Sequence, residues 1–272
     1  FKYKAILKLI KVTYKLSISV IITFVISLVR VKLYAVFLGP SGLGLISQFV
    51  TFISLITTTI HVGIPFSLST ILPSLYKSQD ISSRQKIYSY FKYFVILFFI
   101  VTIFATIVIL FFFFYISYLL VDSENEYYIL NIIAFSIPFT VIYAIFESFL
   151  RSSGQINKMV KVTIYSALIT LPALIILIYF YDVKGIAYYI LLGSIVPFLI
   201  MIFYFKNVFR KDDRNFVQQL SSAEKKQVFK AGITSLFAFM FNQLVILYLR
   251  KFIISNYGND ENGIYQSVLG LS

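Results

Sequence analysis

The chain of 272 residues contains no cysteine, a single histidine (His61) and only 11 acidic residues. Without cysteine it has no disulfide, no thiolate metal site and no cysteine nucleophile. One histidine cannot build a multi-histidine metal site. The sequence also contains neither a carboxylate pair in a large loop nor a glycine-rich phosphate-binding motif. These absences argue against an enzyme and against a bound metal or cofactor.

Apolar residues, by contrast, make up 59% of the chain, and its mean hydropathy is +0.88. Soluble proteins contain about 45–50% apolar residues. Because membrane-length apolar runs recur along the whole chain, a single signal peptide or anchor does not explain them. The pattern predicts an all-α integral membrane protein, a polytopic helical bundle. Its spans are 13–38, 43–61 (with a broken extension to 76), 91–120, 128–150, 160–181, 185–205 and 230–254, and an eighth begins at 263.

The net charge of +13 is unevenly distributed. Of the 24 Lys and Arg residues, 19 lie before the first span, in every second loop or within the first three residues of an adjoining span. The positive-inside rule therefore predicts that the amino terminus and loops 77–90, 151–159 and 206–229 are cytoplasmic. The opposite loops are short and mostly acidic. The basic excess is thus explained by topology, and nucleic acid is not an expected partner.

An apolar run, a basic pair and a glycine-bounded turn occur in the same order near both ends of the chain. The basic pairs are Arg30 with Lys32 and Arg250 with Lys251. Six spans per period is the layout of a transporter with two parallel repeats. We therefore expect an amino-terminal lobe at 1–205, a linker at 206–229 and the first helices of a second lobe at 230–272. The eighth segment has only ten residues, Gly263 to Ser272, whereas a span needs about 20, so we expect the second lobe to be truncated here.

Three helix starts carry the pattern of a capping box, in which a serine side chain and an acid or amide three residues on bond each other's backbone. They are Ser82 with Gln85, Ser123 with Glu126, and Ser221 with Glu224. The last lies in the basic linker, whose second half is interpreted as an amphipathic lead-in at the membrane surface. A partner-binding role for this linker is the alternative.

The turn at residues 38–44, the segment 62–65 and the segment 153–158 together resemble the O-antigen translocase (Wzx-type) group of the multidrug/oligosaccharidyl-lipid/polysaccharide exporter superfamily. The second turn lacks the proline of the first. The resemblance implies a MATE-like fold of two six-helix lobes around a central cavity. It also implies a flippase that moves undecaprenyl-pyrophosphate-linked oligosaccharide across the bacterial plasma membrane, with membrane lipids and other polysaccharide-assembly membrane proteins as partners.

Three cations in apolar surroundings are candidates for binding this cargo: Arg30, Lys32 and Arg250. A charge within the bilayer costs at least about 2.5–3.5 kcal/mol, so it usually faces a cavity or a partner. A cationic cavity wall would attract pyrophosphate. Snorkelling to the headgroups is the alternative, easier for Lys32 than for Arg30.

Polar residues of the second span fall on one broad helical face, which predicts either a cavity lining or interhelical hydrogen bonds. The candidates on this face are Gln48, Thr51, Thr58 and His61. His61 is either a hydrogen-bonded interior side chain or a proton relay. Glycine and proline residues before and after this polar face predict turns or hinges, at Gly39, Pro40, Gly42, Gly44, Gly63 and Pro65.

Glu147 is the only acidic residue within a predicted span, and Arg151 follows at the spacing of a helical ion pair. A coupling-ion or proton site is the other interpretation. Two rival functions remain open: an ion-coupled multidrug exporter on the same fold, which would favour acidic residues in the cavity, and a membrane polysaccharide polymerase or glycosyltransferase, which would need a large outer loop.

Overall fold

The computed structural model describes residues 2–61, 63–78, 80–121, 126–205 and 219–269. In these residues the chain consists of helices joined by short turns. We number them in chain order: α1 (Lys2–His61), α2 (Ile64–Ser78), α3 (Ile81–Phe111), α4 (Phe113–Val121), α5 (Tyr127–Ala134), α6 (Ser136–Ser152), α7 (Ile156–Phe205), α8 (Ser222–Tyr257) and α9 (Asn259–Leu269).

Five helical stretches are long and apolar enough to cross a membrane. Two of them have 42 and 50 residues, about twice the length of one span. Each contains a residue with non-helical backbone, Gly39 in α1 (φ 65°) and Asp182 in α7 (φ 49°). Division at these residues gives seven crossings in the described part of the chain, as the sequence predicted. The protein is a multi-pass helical membrane protein.

The junctions at Gly39 and Gly258 have the same local structure. Both glycines have positive φ, 65° and 94°, a conformation that glycine adopts without steric cost. A helix starts directly after each of them, with Pro40 or Asn259. Pro40 suits the first helical position because its missing N–H would have no partner there. The repeat in the sequence therefore corresponds to two equivalent helix reversals.

The glycine end is our name for the end of the bundle that holds the Gly39 and Gly258 junctions. The Asp182 junction of α7 lies there too, since the Lys184 ammonium is 4.5 Å from the ring of Tyr128 at the start of α5. The α4 helix also reaches this end, where the Leu120 carbonyl accepts a 3.2 Å hydrogen bond from Gln48.

The basic end is the opposite one, defined by an ion pair between Lys86 of α3 and Glu224 of α8. Near it, the Ser152 hydroxyl donates to the Leu68 carbonyl at 3.3 Å and joins α6 to α2. The first six crossings pack around an apolar core. Its aromatic part is centred on Phe91 of α3. The centre of the Phe91 ring lies 5.1 Å from that of Phe146, 5.3 Å from that of Phe149 and 4.7 Å from that of Phe205.

Some helix boundaries agree with the predicted ones, and the start of α8 does not. The break predicted at Gly63 is present: α1 ends at His61, Gly63 has φ 64°, and α2 follows with Pro65 in its first turn. The Ser221–Glu224 capping box is confirmed. Since α8 starts at Ser222, residues 222–229 of the predicted linker form the first turns of a membrane-length helix. Residues 219–221 directly precede this helix, and 206–218 lie outside the described residues.

The capping box predicted at Ser82 is wrong. Helix α3 begins one residue earlier, at Ile81, with Asp80 as its N-cap and no side-chain cap. Ser82 is therefore already inside the first turn, where its backbone is helical. Ser123, predicted to cap the next span, lies outside the described residues.

Candidate functional site

Arg250 of α8 lies at the meeting point of α1, α8 and α9 and is only 3% exposed. One terminal nitrogen donates to the Ser47 hydroxyl of α1 and, at 3.4 Å, to the Asn262 side-chain oxygen of α9. The other donates to the Gln266 side-chain oxygen. All three acceptors are neutral. Arg250 has no carboxylate partner among the described residues, and its Nε has no hydrogen-bond partner there.

The partners of Arg250 follow the repeat. Ser47 lies eight residues after Gly39, and Gln266 lies eight residues after Gly258. The same register pairs Lys32 with Lys251, because each precedes its glycine by seven residues. Arg250 itself corresponds to Val31. The guanidinium is therefore supplied by one repeat only, although two of its three acceptors, Ser47 and Gln266, come from equivalent positions in both.

The α1 and α9 helices cross in backbone contact at Gly44 and Gly263, each five residues after its junction glycine. A Cβ added to Gly44 would meet the Asn259 carbonyl and lie 2.8 Å from the Gly263 nitrogen, and one added to Gly263 would meet the Pro40 backbone. The Asn262 amide donates to the Gly44 carbonyl at 2.7 Å. Small residues allow this close crossing. Gly42 takes no part in it, since its nearest neighbour is the Leu38 side chain.

The other two predicted cations have different surroundings. Arg30 is half-buried and lies near Tyr34, one turn further along α1, whose ring packs edge-on against Tyr189 at 6.4 Å. Its Nε is buried and has no hydrogen-bond partner among the described residues. Lys32 is exposed. Neither forms an ion pair with a described carboxylate. Arg30 and Arg250 lie nine and eight residues before their glycines, about 12–13 Å along a helix.

A cavity of about 220 Å³, here called the glycine-end cavity, lies beside the Arg250 cluster. Two of its lining residues are the Arg250 partners Ser47 and Gln266. Thr51, predicted to line a cavity, also lines this one and donates to the Ser47 carbonyl at 2.7 Å. The full lining is Tyr34, Leu43, Ile46, Ser47, Val50, Thr51, Ser54, Gln243 and Gln266.

A second cavity of about 300 Å³, here called the histidine cavity, lies between α1, α2, α6 and α8. Four predicted site residues line it: Thr58, His61, Glu147 and Arg151. Glu147 and Arg151 form the ion pair that their spacing predicts, at 2.7 Å. The other lining residues are Gly63, Pro65, Phe66, Ser69, Ala144, Ser148, Ser235, Leu236 and Phe239.

His61 lines the histidine cavity and lies near the Val141 backbone of α6. Its Nε2 is buried and has no hydrogen-bond partner among the described residues. Both interpretations made from the sequence, an interior side chain and a proton relay, stay predictions.

Gln48 lines neither cavity. It is fully buried, and its amide nitrogen bonds the Leu120 carbonyl, so here the polar face of the second span serves interhelical bonding. Asn262 and Gln266 were not among the predicted site residues. Gln266 could have been found from the repeat, because it occupies the position equivalent to Ser47. Asn262 corresponds to the apolar Leu43, and nothing in the sequence marks it.

No protein-family model and no curated protein matches the chain. Among solved structures, a multidrug resistance MATE family transporter of the MOP superfamily, in an inward-facing conformation, matches with a TM-score of 0.69 over 94% of this chain at 17% sequence identity. The chain has the fold of a MATE family transporter. It spans 60% of the length of that protein. The eukaryotic MATE transporter AtDTX14 also matches, with a TM-score of 0.47, 14% identity and coverage of 90% of this chain and 55% of that one.

The first comparison confirms the predicted all-α, MATE-like membrane fold. At 17% identity it does not extend to the predicted O-antigen translocase group or to a cargo.

Proposed function

We propose that this MATE-fold chain belongs to a flippase that moves a lipid-linked oligosaccharide, carried on a polyprenyl pyrophosphate, across the bacterial plasma membrane. The observation that carries the proposal is the pair of arginines, Arg30 and Arg250, at comparable depth and with no carboxylate partner among the described residues. An anionic cargo would supply the missing counter-charge.

The physical argument concerns the cost of these charges. Burying an arginine within the bilayer costs at least about 2.5–3.5 kcal/mol. Hydrogen bonds to neutral oxygens offset part of this cost for Arg250, whereas the buried Nε of Arg30 has no hydrogen-bond partner among the described residues. A pyrophosphate accepts bidentate hydrogen bonds from guanidinium, and such charge-assisted bonds are strong where the local dielectric is low. The cations are therefore best explained by a ligand of negative charge.

The mechanism that fits the fold is rocking of one lobe against the other around a central cavity. We place the basic end in the cytoplasm, following the charge count, and the glycine end outside. The two cavities, with their hydroxyl, amide and imidazole groups, would contact the sugar head. The lipid tail stays in the bilayer, since its transfer into a polar cavity would be unfavourable.

An ion-coupled multidrug exporter is the second candidate, because the solved transporter that matches is described as a multidrug resistance protein. An exporter of organic cations needs an available carboxylate. Glu147 lines the histidine cavity, but Arg151 already neutralises it at 2.7 Å. This pairing favours the flippase. The MATE fold in turn favours a transporter over a polymerase or glycosyltransferase.

Transport by the full-length protein in liposomes would test the proposal. We expect it to move a fluorescent short-chain polyprenyl pyrophosphate bearing N-acetylglucosamine to the opposite leaflet faster than empty liposomes do, and not to move ethidium. Arg30→Ala should abolish this transport, whereas Lys32→Ala, an exposed cation two residues on, should reduce it less. Movement of ethidium without the lipid would establish the exporter, and movement of neither would refute the flippase.

A further inference from the structure

We infer that Arg250 is a latch that holds the glycine end closed, and that an oxyanion opens it by replacing Ser47 as its partner. This inference rests on the proposed function, because it assigns the pyrophosphate group of the cargo a task at the cavity. Its evidence is separate, however: the partners of Arg250 and their place in the repeat.

The hydrogen bonds of Arg250 divide between the two repeats. Ser47 belongs to α1, in the first repeat, whereas Asn262 and Gln266 belong to α9, which follows α8 in the second. If the lobes separate, Arg250 moves with α8 and keeps its α9 partners. It loses only Ser47. One hydrogen bond therefore links the guanidinium across the boundary along which the lobes would part.

The surroundings allow this hydrogen bond to be exchanged for one to an anion. Arg250 has no carboxylate partner among the described residues; its guanidinium lies 5.5 Å from the centre of the Tyr265 ring, and its Nε has no hydrogen-bond partner there. An oxyanion satisfies a guanidinium better than a hydroxyl does, since it offers two charged acceptors in the geometry of the fork. A ligand that binds the separated state better than the closed state shifts the equilibrium toward separation.

An approach to the latch is present. Ser47 and Gln266, the two repeat-equivalent partners, both line the glycine-end cavity. Tyr34, which lies near Arg30, lines it as well. An anion in this cavity thus lies beside Ser47 and Gln266, two of the acceptors of Arg250. The site is completed only when Ser47 releases the guanidinium, so cargo binding and opening are coupled.

Distance measurements on the full-length protein in liposomes test the latch. This chain has no cysteine, and any cysteine elsewhere in the full-length protein is replaced by serine, so spin labels at introduced cysteines report only their own positions. Leu119 of α4 and Tyr257 at the end of α8 are both exposed at the glycine end, 56% and 68%. The separation between labels at these two positions measures opening by double electron–electron resonance.

The repeat supplies a matched pair of variants. Ser47→Ala removes the bond of Arg250 to the first lobe and should raise the ratio of open to closed molecules about tenfold or more, the effect of losing a hydrogen bond to a charged group. Gln266→Ala removes a bond within the second lobe and should leave the ratio nearly unchanged. Ser47→Thr keeps a hydroxyl and should restore closure. Equal distance distributions in Ser47→Ala and Gln266→Ala would overturn the latch.

The second arm tests the anion. Inorganic pyrophosphate should raise the open fraction of the unmodified protein at least about fivefold, the lower range of allosteric couplings, relative to sodium chloride of equal ionic strength. In Arg250→Gln it should have no effect. A failure of pyrophosphate to change the distances would overturn the anion-operated latch, even if lipid transport continued and the proposed function stood. Opening by pyrophosphate without lipid transport would support the latch and refute the flippase.

Discussion

The crossing of α1 and α9 predicts a large difference between two glycine-to-alanine substitutions. Gly44 has no room for a Cβ, because the added atom would meet the Asn259 carbonyl and lie 2.8 Å from the Gly263 nitrogen. Both obstacles are backbone atoms and cannot rotate away. Gly193, in the interior of α7, has nothing within 4 Å of the same position. The two substitutions therefore make the same chemical change and differ only in the space around the added methyl group.

The expected magnitudes follow from two opposing effects. Alanine favours a helix over glycine by about 0.8–1.0 kcal/mol, which acts in both variants. Overpacking costs about 1–3 kcal/mol and acts only at Gly44. Gly193→Ala should thus raise the free energy of unfolding by up to about 1 kcal/mol. The free energy of unfolding of Gly44→Ala should be lower than that of Gly193→Ala by the overpacking cost, about 1–3 kcal/mol.

Unfolding of the two purified variants in mixed detergent micelles, followed by circular dichroism, would measure this difference. Gly263→Ala should resemble Gly44→Ala, because its Cβ would meet the Pro40 backbone at the same crossing. If Gly44→Ala were as stable as Gly193→Ala, the helices would not touch at these glycines and the closed glycine end would be incorrect.

Three further predictions concern the cations, the topology and α8. Arg30→Lys should retain only part of the lipid transport, since lysine keeps the charge but not the bidentate fork, and full activity would contradict pyrophosphate recognition. A membrane-impermeant maleimide should label a cysteine at Asn125 but not at Asn207 in intact cells, and the reverse would invert the topology; both positions lie outside the described residues. Ser221→Ala should lower the free energy of unfolding by about 1 kcal/mol through loss of the N-cap of α8, and an equal loss in Lys226→Ala, expected to stay within about 0.5 kcal/mol, would contradict this.

The number of crossings could be predicted from the sequence because it depends on apolar length alone. The ends of the helices could not, because capped polar turns continue a helix beyond the membrane. Helix α8 begins at Ser222, eight residues before the predicted span, since Ser221 and Glu224 bond each other's backbone. Apolar composition indicates which residues lie in the lipid. A helix, however, ends where its terminal N–H and C=O groups find hydrogen-bond partners outside the helical ladder.

The candidate site was harder to predict, because a helical face identifies polar residues but not their neighbours. Gln48 and Thr51 share the polar face of α1, yet Gln48 bonds the α4 backbone and only Thr51 lines a cavity. Arg250 was a candidate for snorkelling and is instead buried, because its partners come from residues 203 positions earlier and 16 later. No local pattern contains such contacts.

The two ends of the bundle are joined across the proposed lobe boundary by interactions of different strength. At the basic end, Lys86 and Glu224 form an ion pair whose side chains are 33% and 25% exposed, and pairs of this kind contribute about 0–1 kcal/mol. Gly63 also approaches the Gly232 backbone there.

At the glycine end, the helix backbones cross at Gly44 and Gly263, and Arg250 is buried among acceptors from both repeats. Each end thus has a close backbone contact. Separation at the basic end otherwise breaks a partly solvated ion pair, whereas separation at the glycine end also exposes a desolvated charge. The basic end should therefore open first, and the glycine end should need a ligand. If the basic end faces the cytoplasm, as we propose, this order loads cargo from the inside, which is the direction that the proposed flippase requires.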